Sequence, residues 1–143
     1  MKQENTIYGM PNMGCMLGTA YQCLVGQLGS ILEKELPGVS VPEYMILRSL
    51  YSCNGLQQCE IGEIVGKDKG AVSRTVKGMI SKGLVRTESV SHKCLKVFLT
   101  PEAESIRKTV LRIADSRQRA LEEILVSDKI SIFSECLVKI IES

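Results

Sequence analysis

Eight cations fall within residues 67–96: Lys67, Lys69, Arg74, Lys77, Lys82, Arg86, Lys93 and Lys96. Asp68 and Glu88 are the only acids there, so the segment carries a net +6 in a chain whose formal charge is +2, leaving −4 for the remainder. Ammonium and guanidinium groups so gathered favour a local footprint for phosphates, with the acidic remainder turned away. Within this segment Val72, Val76, Met79 and Ile80 recur at i, i+4, i+7 and i+8, which is one apolar stripe of a helix. Gly70, Arg74 and Lys77 take the opposite face, with Ser73 at its flank and Lys69 at the helix entry. Asp68 suits the amino end, where its carboxylate accepts from unpaired N–H groups and meets the positive end of the helix dipole, and Gly83 closes the other end. A helix with cations on one face and branched aliphatics on the other is built as DNA-reading helices are. The same pattern also describes the solvated side of an ordinary packed helix.

The elements around the helix separate those two readings. Leu84-Val85-Arg86 and Leu95-Lys96-Val97-Phe98-Leu99-Thr100 read as two short strands joined by a polar loop containing Ser91, His92 and Lys93. Helix, strand, loop, strand is a winged helix. Upstream, the pattern predicts a long helix over about 14–36 carrying Leu17, Tyr21, Leu24, Leu28, Ile31 and Leu32. A second runs from Ser40 or Val41 to about Cys53, opened by Pro42 and Glu43, with Tyr44, Leu47, Leu50 and Tyr51 inward. A third, near Gln58–Val65, offers Ile61, Ile64 and Val65 to the core. Thr100-Pro101-Glu102 starts a long helix that reaches about residue 126. Ser127 or Asp128 caps a last one, in which Ile130, Phe133, Leu137, Ile140 and Ile141 share a face. Residues 1–12 show no steady period and read as an arm.

The expected fold is therefore mainly α with a small two- to three-stranded antiparallel wing. One domain spans 1–143, with a winged-helix DNA-binding lobe over 40–100 flanked by dimerisation helices over 13–36 and 101–143. Those flanking helices carry more apolar surface than a centre of about 60 residues can cover. At roughly 25 cal/mol per Å² of apolar surface buried, a twofold homodimer is the economical cover.

Composition excludes other classes. His92 is the single histidine, it lies in a polar loop without a carboxylate partner, and neither a nucleophile elbow nor a phosphate loop occurs, so no enzyme is expected. The six cysteines, Cys15, Cys23, Cys53, Cys59, Cys94 and Cys136, form no CxxC pair, so no metal or cofactor is expected and buried free thiols are the default. No uninterrupted apolar run approaches eighteen residues and no cationic, apolar leader opens the chain, which points to a cytoplasmic protein without a membrane span.

Residues 40–106 resemble the multiple antibiotic resistance regulator (MarR) family of dimeric winged-helix transcription factors. Glu60-Ile61-Gly62-Glu63-Ile64-Val65-Gly66 is similar to the family's first helix of the helix-turn-helix, and Asp68-Lys69-Gly70-Ala71-Val72-Ser73-Arg74 to its recognition-helix entry. Lys82-Gly83-Leu84-Val85 and Leu99-Thr100-Pro101-Glu102 match the segments that bracket its wing. The departures lie in the wing, where Thr87–Cys94 lacks the family's Asp- and Arg-rich stretch and leaves His92, Lys93 and Lys96 in place of the usual minor-groove arginine. Gly70 and Ala71 likewise stand where hydroxyl residues are common.

The resemblance implies that residues 69–81 enter the major groove of a pseudo-palindromic operator, with Ser73, Arg74 and Lys77 facing bases or phosphates. Arg74 is then the best base reader, since a guanidinium donates twice to guanine O6 and N7. Lys69, Lys77, Lys93 and Lys96 are the phosphate contacts. It also implies repression relieved by a small aromatic or phenolic effector, for which Tyr21, Tyr44, Arg48 and Tyr51 are the candidate lining residues. Alternatively those four are ordinary core. Cys15 lies roughly where the family's organic hydroperoxide regulators keep a sensing thiol, so a redox-sensing regulator of the same fold is one alternative. A winged-helix protein-interaction module that never touches DNA is another.

Overall fold

Asn12 opens the first helix of the computed structural model, which describes residues 12–143; its side-chain oxygen accepts from the Cys15 N–H at 2.8 Å. Helix α1 (Met13–Glu35) has one buried residue, Leu32, while Leu17 and Tyr21 of the expected stripe are exposed. By length and composition α1 is apolar enough to cross a membrane, at a mean hydropathy of 1.2 over eighteen residues. Thr19, Gln22, Gln27 and Ser30 interrupt its apolar residues, so no uninterrupted apolar run in it approaches eighteen residues. The expected amino-terminal arm lies outside the described residues up to Pro11.

The chain divides into two compact units, one ending at Ser105 and the other spanning Ile106–Ser143. The first unit holds the winged helix. Helix α2 (Val41–Ser52) begins at a reciprocal cap: the Glu43 N–H donates to Ser40 Oγ, and the Ser40 N–H donates to Glu43 Oε1 at 2.8 Å. Its Tyr44, Ile46, Leu47, Leu50 and Tyr51 are buried. Strand β1 (Leu56–Gln57) runs straight into α3 (Gln58–Val65), where the Gln57 N–H donates to Glu60 Oε2 at 2.8 Å. Of the three residues expected inward on α3, Ile61 is buried, Val65 is half-buried, and Ile64 is 60% exposed. Gly66 ends α3 at φ 69°, a left-handed conformation that costs glycine little. Helix α4 (Lys69–Ser81) follows after two residues, with Asp68 as its cap.

Strands β2 (Val85–Ser91) and β3 (Cys94–Leu99) form the wing, in a sheet of order β1-β3-β2 with antiparallel pairing throughout. The hairpin is longer than the sequence suggested, because the ladder pairs Glu88 with Lys96 and Ser89 with Leu95 and leaves His92 and Lys93 alone at the turn. An irregularity at Val90 interrupts the register. The third strand is held by non-local bonds: the Gly55 N–H donates to the Val97 carbonyl and the Leu99 N–H to Asn54 Oδ1.

The long helix expected from Pro101 is interrupted. Helix α5 (Pro101–Ser105) stops at Ile106, whose φ −100° and ψ 2° leave the helical region, and α6 (Arg107–Leu125) starts beyond it. Beside this break the Tyr51 hydroxyl donates to the Ala103 carbonyl, the group that a continuous helix would offer to residue 107. In the second unit α6 and α7 (Ser127–Glu142) meet at Val126, which at φ 64° takes the capping position that the sequence assigned to Ser127 or Asp128. No side chain caps α7, and none of its residues is buried.

Burial of the thiols is also corrected. Cys15, Cys23, Cys53, Cys59 and Cys136 are exposed and Cys94 is half-exposed, all free. Three of them lie on α1 and α7, whose surfaces a single chain leaves largely uncovered.

Candidate nucleic-acid interface

Helix α4 is fixed from inside by Val72, Val76 and Met79, each at most 1% exposed. At roughly 25 cal/mol per Å², burial of three such side chains outweighs any propensity cost of Gly70 and Gly78. Ile80, the fourth residue of the expected stripe, is 44% exposed. Sequence period alone does not separate it from the core, since it follows the buried Met79 directly.

The amino end of α4 is held by Asp68, whose Oδ1 accepts from the Ala71 N–H at 2.9 Å. That bond, aided by the nearby Arg74 cation, holds the Asp68 carboxyl below its ordinary value against a weaker opposing effect of desolvation. The turn before it is tight. Gly62 gives its carbonyl to the Lys67 N–H at 3.0 Å, and a Cβ on Gly62 would stand 2.9 Å from the Lys67 carbonyl oxygen. This glycine allows α3 and α4 to meet across so short a connection.

Outward, Lys69, Gly70, Arg74 and Lys77 are exposed and Ser73 is half-exposed, so the structure gathers all five predicted residues of α4 on one side. Gly70 has a second effect. A Cβ there would lie 3.3 Å from both Arg74 Nη1 and Asp68 Oδ1, so its absence leaves a slot along which the guanidinium lies. Lys67, exposed at the entry to this surface, was not singled out as a site residue from the sequence.

The remaining basic residues divide into two groups. Lys82 is bound to the lobe itself, donating to Glu43 Oε1 at 2.8 Å and to the Gly38 carbonyl at 2.6 Å. Arg86 pairs with Glu88 at 3.0 Å, and its guanidinium lies 4.8 Å from the Phe98 ring centroid. Lys67, Lys69, Arg74, Lys77, Lys93 and Lys96 make no salt bridge among the described residues. His92 and Lys93 are exposed at the hairpin turn, whereas Lys96 is half-buried lower on β3. Val90 and Leu95, 60% and 51% exposed, add an apolar edge beside that turn.

The four candidate effector residues do not form one surface. Tyr44 and Tyr51 are buried at 3% and 8% exposure, and Tyr51 engages the Ala103 carbonyl. Tyr21 and Arg48 are exposed. Cys15, in the first turn of α1, is exposed beside a shallow groove that also includes Gly18, Thr19, Gln22 and Cys23. Among the described residues no group of three or more His, Cys, Asp or Glu stands ready for a metal ion.

The fold recurs in known proteins. A family model described as MarR family matches residues 38–93. The transcriptional regulator HosA of Escherichia coli O157:H7 is 25% identical over 113 residues, which cover 78% of this chain and 84% of HosA. The MepR–DNA complex of S. aureus superposes with a TM-score of 0.82 at 16% identity, over 92% of this chain and 96% of that one. Bordetella bronchiseptica BpsR, described for the regulation of its DNA binding by 6-hydroxynicotinic acid, gives 0.78 at 16% identity over 93% and 96%.

Proposed function

We propose that the chain is a MarR-family winged-helix transcriptional regulator, a reading supported by the family model over residues 38–93 and the likeness to HosA, and that it is a sequence-specific, dimeric DNA-binding repressor released by a small ligand. One observation carries the reading: the outer surface of α4 presents Arg74 and Lys77 exposed and without a salt bridge among the described residues, while its inner surface is locked by Val72, Val76 and Met79. In this reading α4 lies in the major groove. Arg74 donates to a guanine edge, and Ser73 makes a shorter-range contact beside it. Lys69, Lys77, Lys93 and Lys96 hold phosphates, with Lys67 added to them, and Gly70 lets the sugar-phosphate chain approach the helix entry. His92 and Lys93 extend the wing turn toward the minor groove.

The homodimer belongs to the same proposal. Phe133, Val138, Ile140 and Ile141 of α7 are 41–81% exposed, as are Leu17 and Tyr21 of α1 at 37% and 47%, and a second copy is their natural cover. Two subunits present two α4 helices to half-sites about one helical turn apart, so the operator is pseudo-palindromic. Action on chromosomal DNA places the protein in the cytoplasm. The 40–100 lobe then reads DNA, and the segments 13–36 and 101–143 join the subunits.

Selecting bound duplexes from a random pool, followed by titration of the winner and of a scrambled duplex at several salt concentrations, tests the reading. Tight binding to one pseudo-palindrome, falling steeply with salt, is expected. A protein that retains no duplex is instead an interaction module.

For the released state, an aromatic acid of the kind named for BpsR is the ligand class to try. Tyr21 and Arg48 are the exposed members of the four candidate residues; Tyr44 and Tyr51 contribute only if core packing yields. The exposure of Cys15 supports a second reading, release by oxidant. Equal peroxide release of DNA from wild type and Cys15→Ser refutes it.

A further inference from the structure

Lys82 follows the last residue of α4 and is counted among the cations of the basic segment, yet its ammonium is engaged by oxygens of the lobe itself. It donates to the Gly38 carbonyl at 2.6 Å, in the turn after α1, and to Glu43 Oε1 at 2.8 Å, in the first turn of α2. The Glu43 side chain is 5% exposed against 45% for Lys82, so the carboxylate is the fixed partner. The same Oε1 accepts from the Ser40 N–H at 2.8 Å, and Oε2 lies 3.9 Å from where a Cβ of Gly78 would stand. One carboxylate thus caps α2, lies against α4 and binds the residue that ends α4.

We propose that Lys82 and Glu43 are positioning residues for DNA reading: the pair fixes the roll of α4 on the lobe, and so decides which duplexes are preferred. The proposal rests on the DNA-binding reading above. Aliphatic contacts made by Val72, Val76 and Met79 hold α4 against the core, but burial itself is not directional, so a polar tie adds an orientation that burial alone does not set. The ammonium is held at two oxygens on two other segments, and hydrogen bonds weaken steeply once angles depart from linearity. Its leverage is sufficient. A side chain at about 6 Å from the helix axis moves about 1 Å for a roll of about 10°. A displacement of that size breaks the two-point contact of a guanidinium with one base while leaving charge near phosphates almost unchanged.

The test compares wild type, Lys82→Met, Glu43→Gln and Lys82→Arg on the duplex selected from a random pool and on its scrambled version, at one salt concentration. Glutamine retains an oxygen for the Ser40 N–H but removes the charge that binds the ammonium, so Glu43→Gln decides the matter if Lys82→Met fails to fold. The ratio of the two Kd values is read, because loss of folded protein changes both equally. Lys82→Met and Glu43→Gln are expected to lower that ratio at least tenfold, with the scrambled Kd changed less than twofold, and Lys82→Arg to preserve it. A ratio within twofold of wild type in both neutral variants overturns the proposal. So does an equal loss on both duplexes, which identifies Lys82 as a phosphate contact or a purely structural group. Wild type that prefers no duplex defeats the DNA-binding reading itself, and the inference with it.

Discussion

Gly62→Ala and Gly78→Ala have opposite effects although both glycines lie inside helices, α3 and α4. Each replacement removes unfolded-chain freedom and favours the helix by about 1 kcal/mol. At Gly78 nothing opposes this gain, since the nearest neighbour of the new methyl is Glu43 Oε2 at 3.9 Å. At Gly62 the methyl meets the Lys67 carbonyl oxygen at 2.9 Å and Val72 Cγ2 at 3.5 Å. The oxygen belongs to backbone that links α3 to α4, so relief requires the turn itself to move, an overpacking cost of about 1 to 3 kcal/mol. The helix term is common to both variants, and their difference therefore isolates the clash. A difference of about 1 to 3 kcal/mol corresponds to about 3 to 10 °C in Tm for a chain of this length. Circular-dichroism melts at matched protein concentration measure it, with Gly62→Ala melting lower than Gly78→Ala. Because α4 enters through that turn, Gly62→Ala also weakens binding to the selected duplex. Equal stabilisation of both variants would refute the claim that Gly62 sets the α3–α4 approach.

Three further outcomes follow from particular contacts. Tyr51→Phe leaves the Ala103 carbonyl without its hydroxyl donor and costs about 1 to 3 kcal/mol in chemical denaturation, whereas Tyr21→Phe, at an exposed site, costs almost nothing. Burial pushes the Glu43 carboxyl up, but hydrogen bonds from Lys82 and Ser40 outweigh it and hold the group below the ordinary 4.5. A depressed folded value stabilises the fold above the ordinary one; the advantage of wild type over Glu43→Gln is therefore complete above about pH 5 and disappears as pH falls through the lower folded value. Phe133→Asp and Ile140→Asp leave the helical content of the chain intact, since neither residue is buried, and shift sedimentation from dimer to monomer. Retention of the dimer by both would remove α7 from the subunit interface.

The sequence was most legible where short-range chemistry decides structure. Ser40 with Glu43, Asp68 with Ala71 and Gly66 at positive φ mark helix ends within three residues of themselves, and the bounds of α2, α3 and α4 follow. Longer-range effects were hidden. Strand β1 exists because Leu56 and Gln57 pair with Val97 and Lys96, some forty positions away. The hydroxyl that meets the Ala103 carbonyl beside the break at Ile106 comes from 52 residues away, and the carboxylate that holds Lys82 from 39 residues away. Ile64 and Ile80 fit an apolar period yet face outward, because a period gives a direction on a helix but not the width of what covers it. At the interface, the α4 residues were readable as a set. The division of the eight cations between salt-bridged and unbridged was not, since for Lys82 it depends on a partner outside the segment.

Binding of Arg74→Ala to the selected duplex and to its scrambled version, measured by fluorescence anisotropy at one salt concentration, tests most directly whether α4 reads bases. A lost two-point guanine contact of about 1 to 3 kcal/mol lowers the preference by about five- to 150-fold while leaving general affinity nearly unchanged. If Arg74→Ala discriminates between the two duplexes as well as wild type does, α4 is not the reading element.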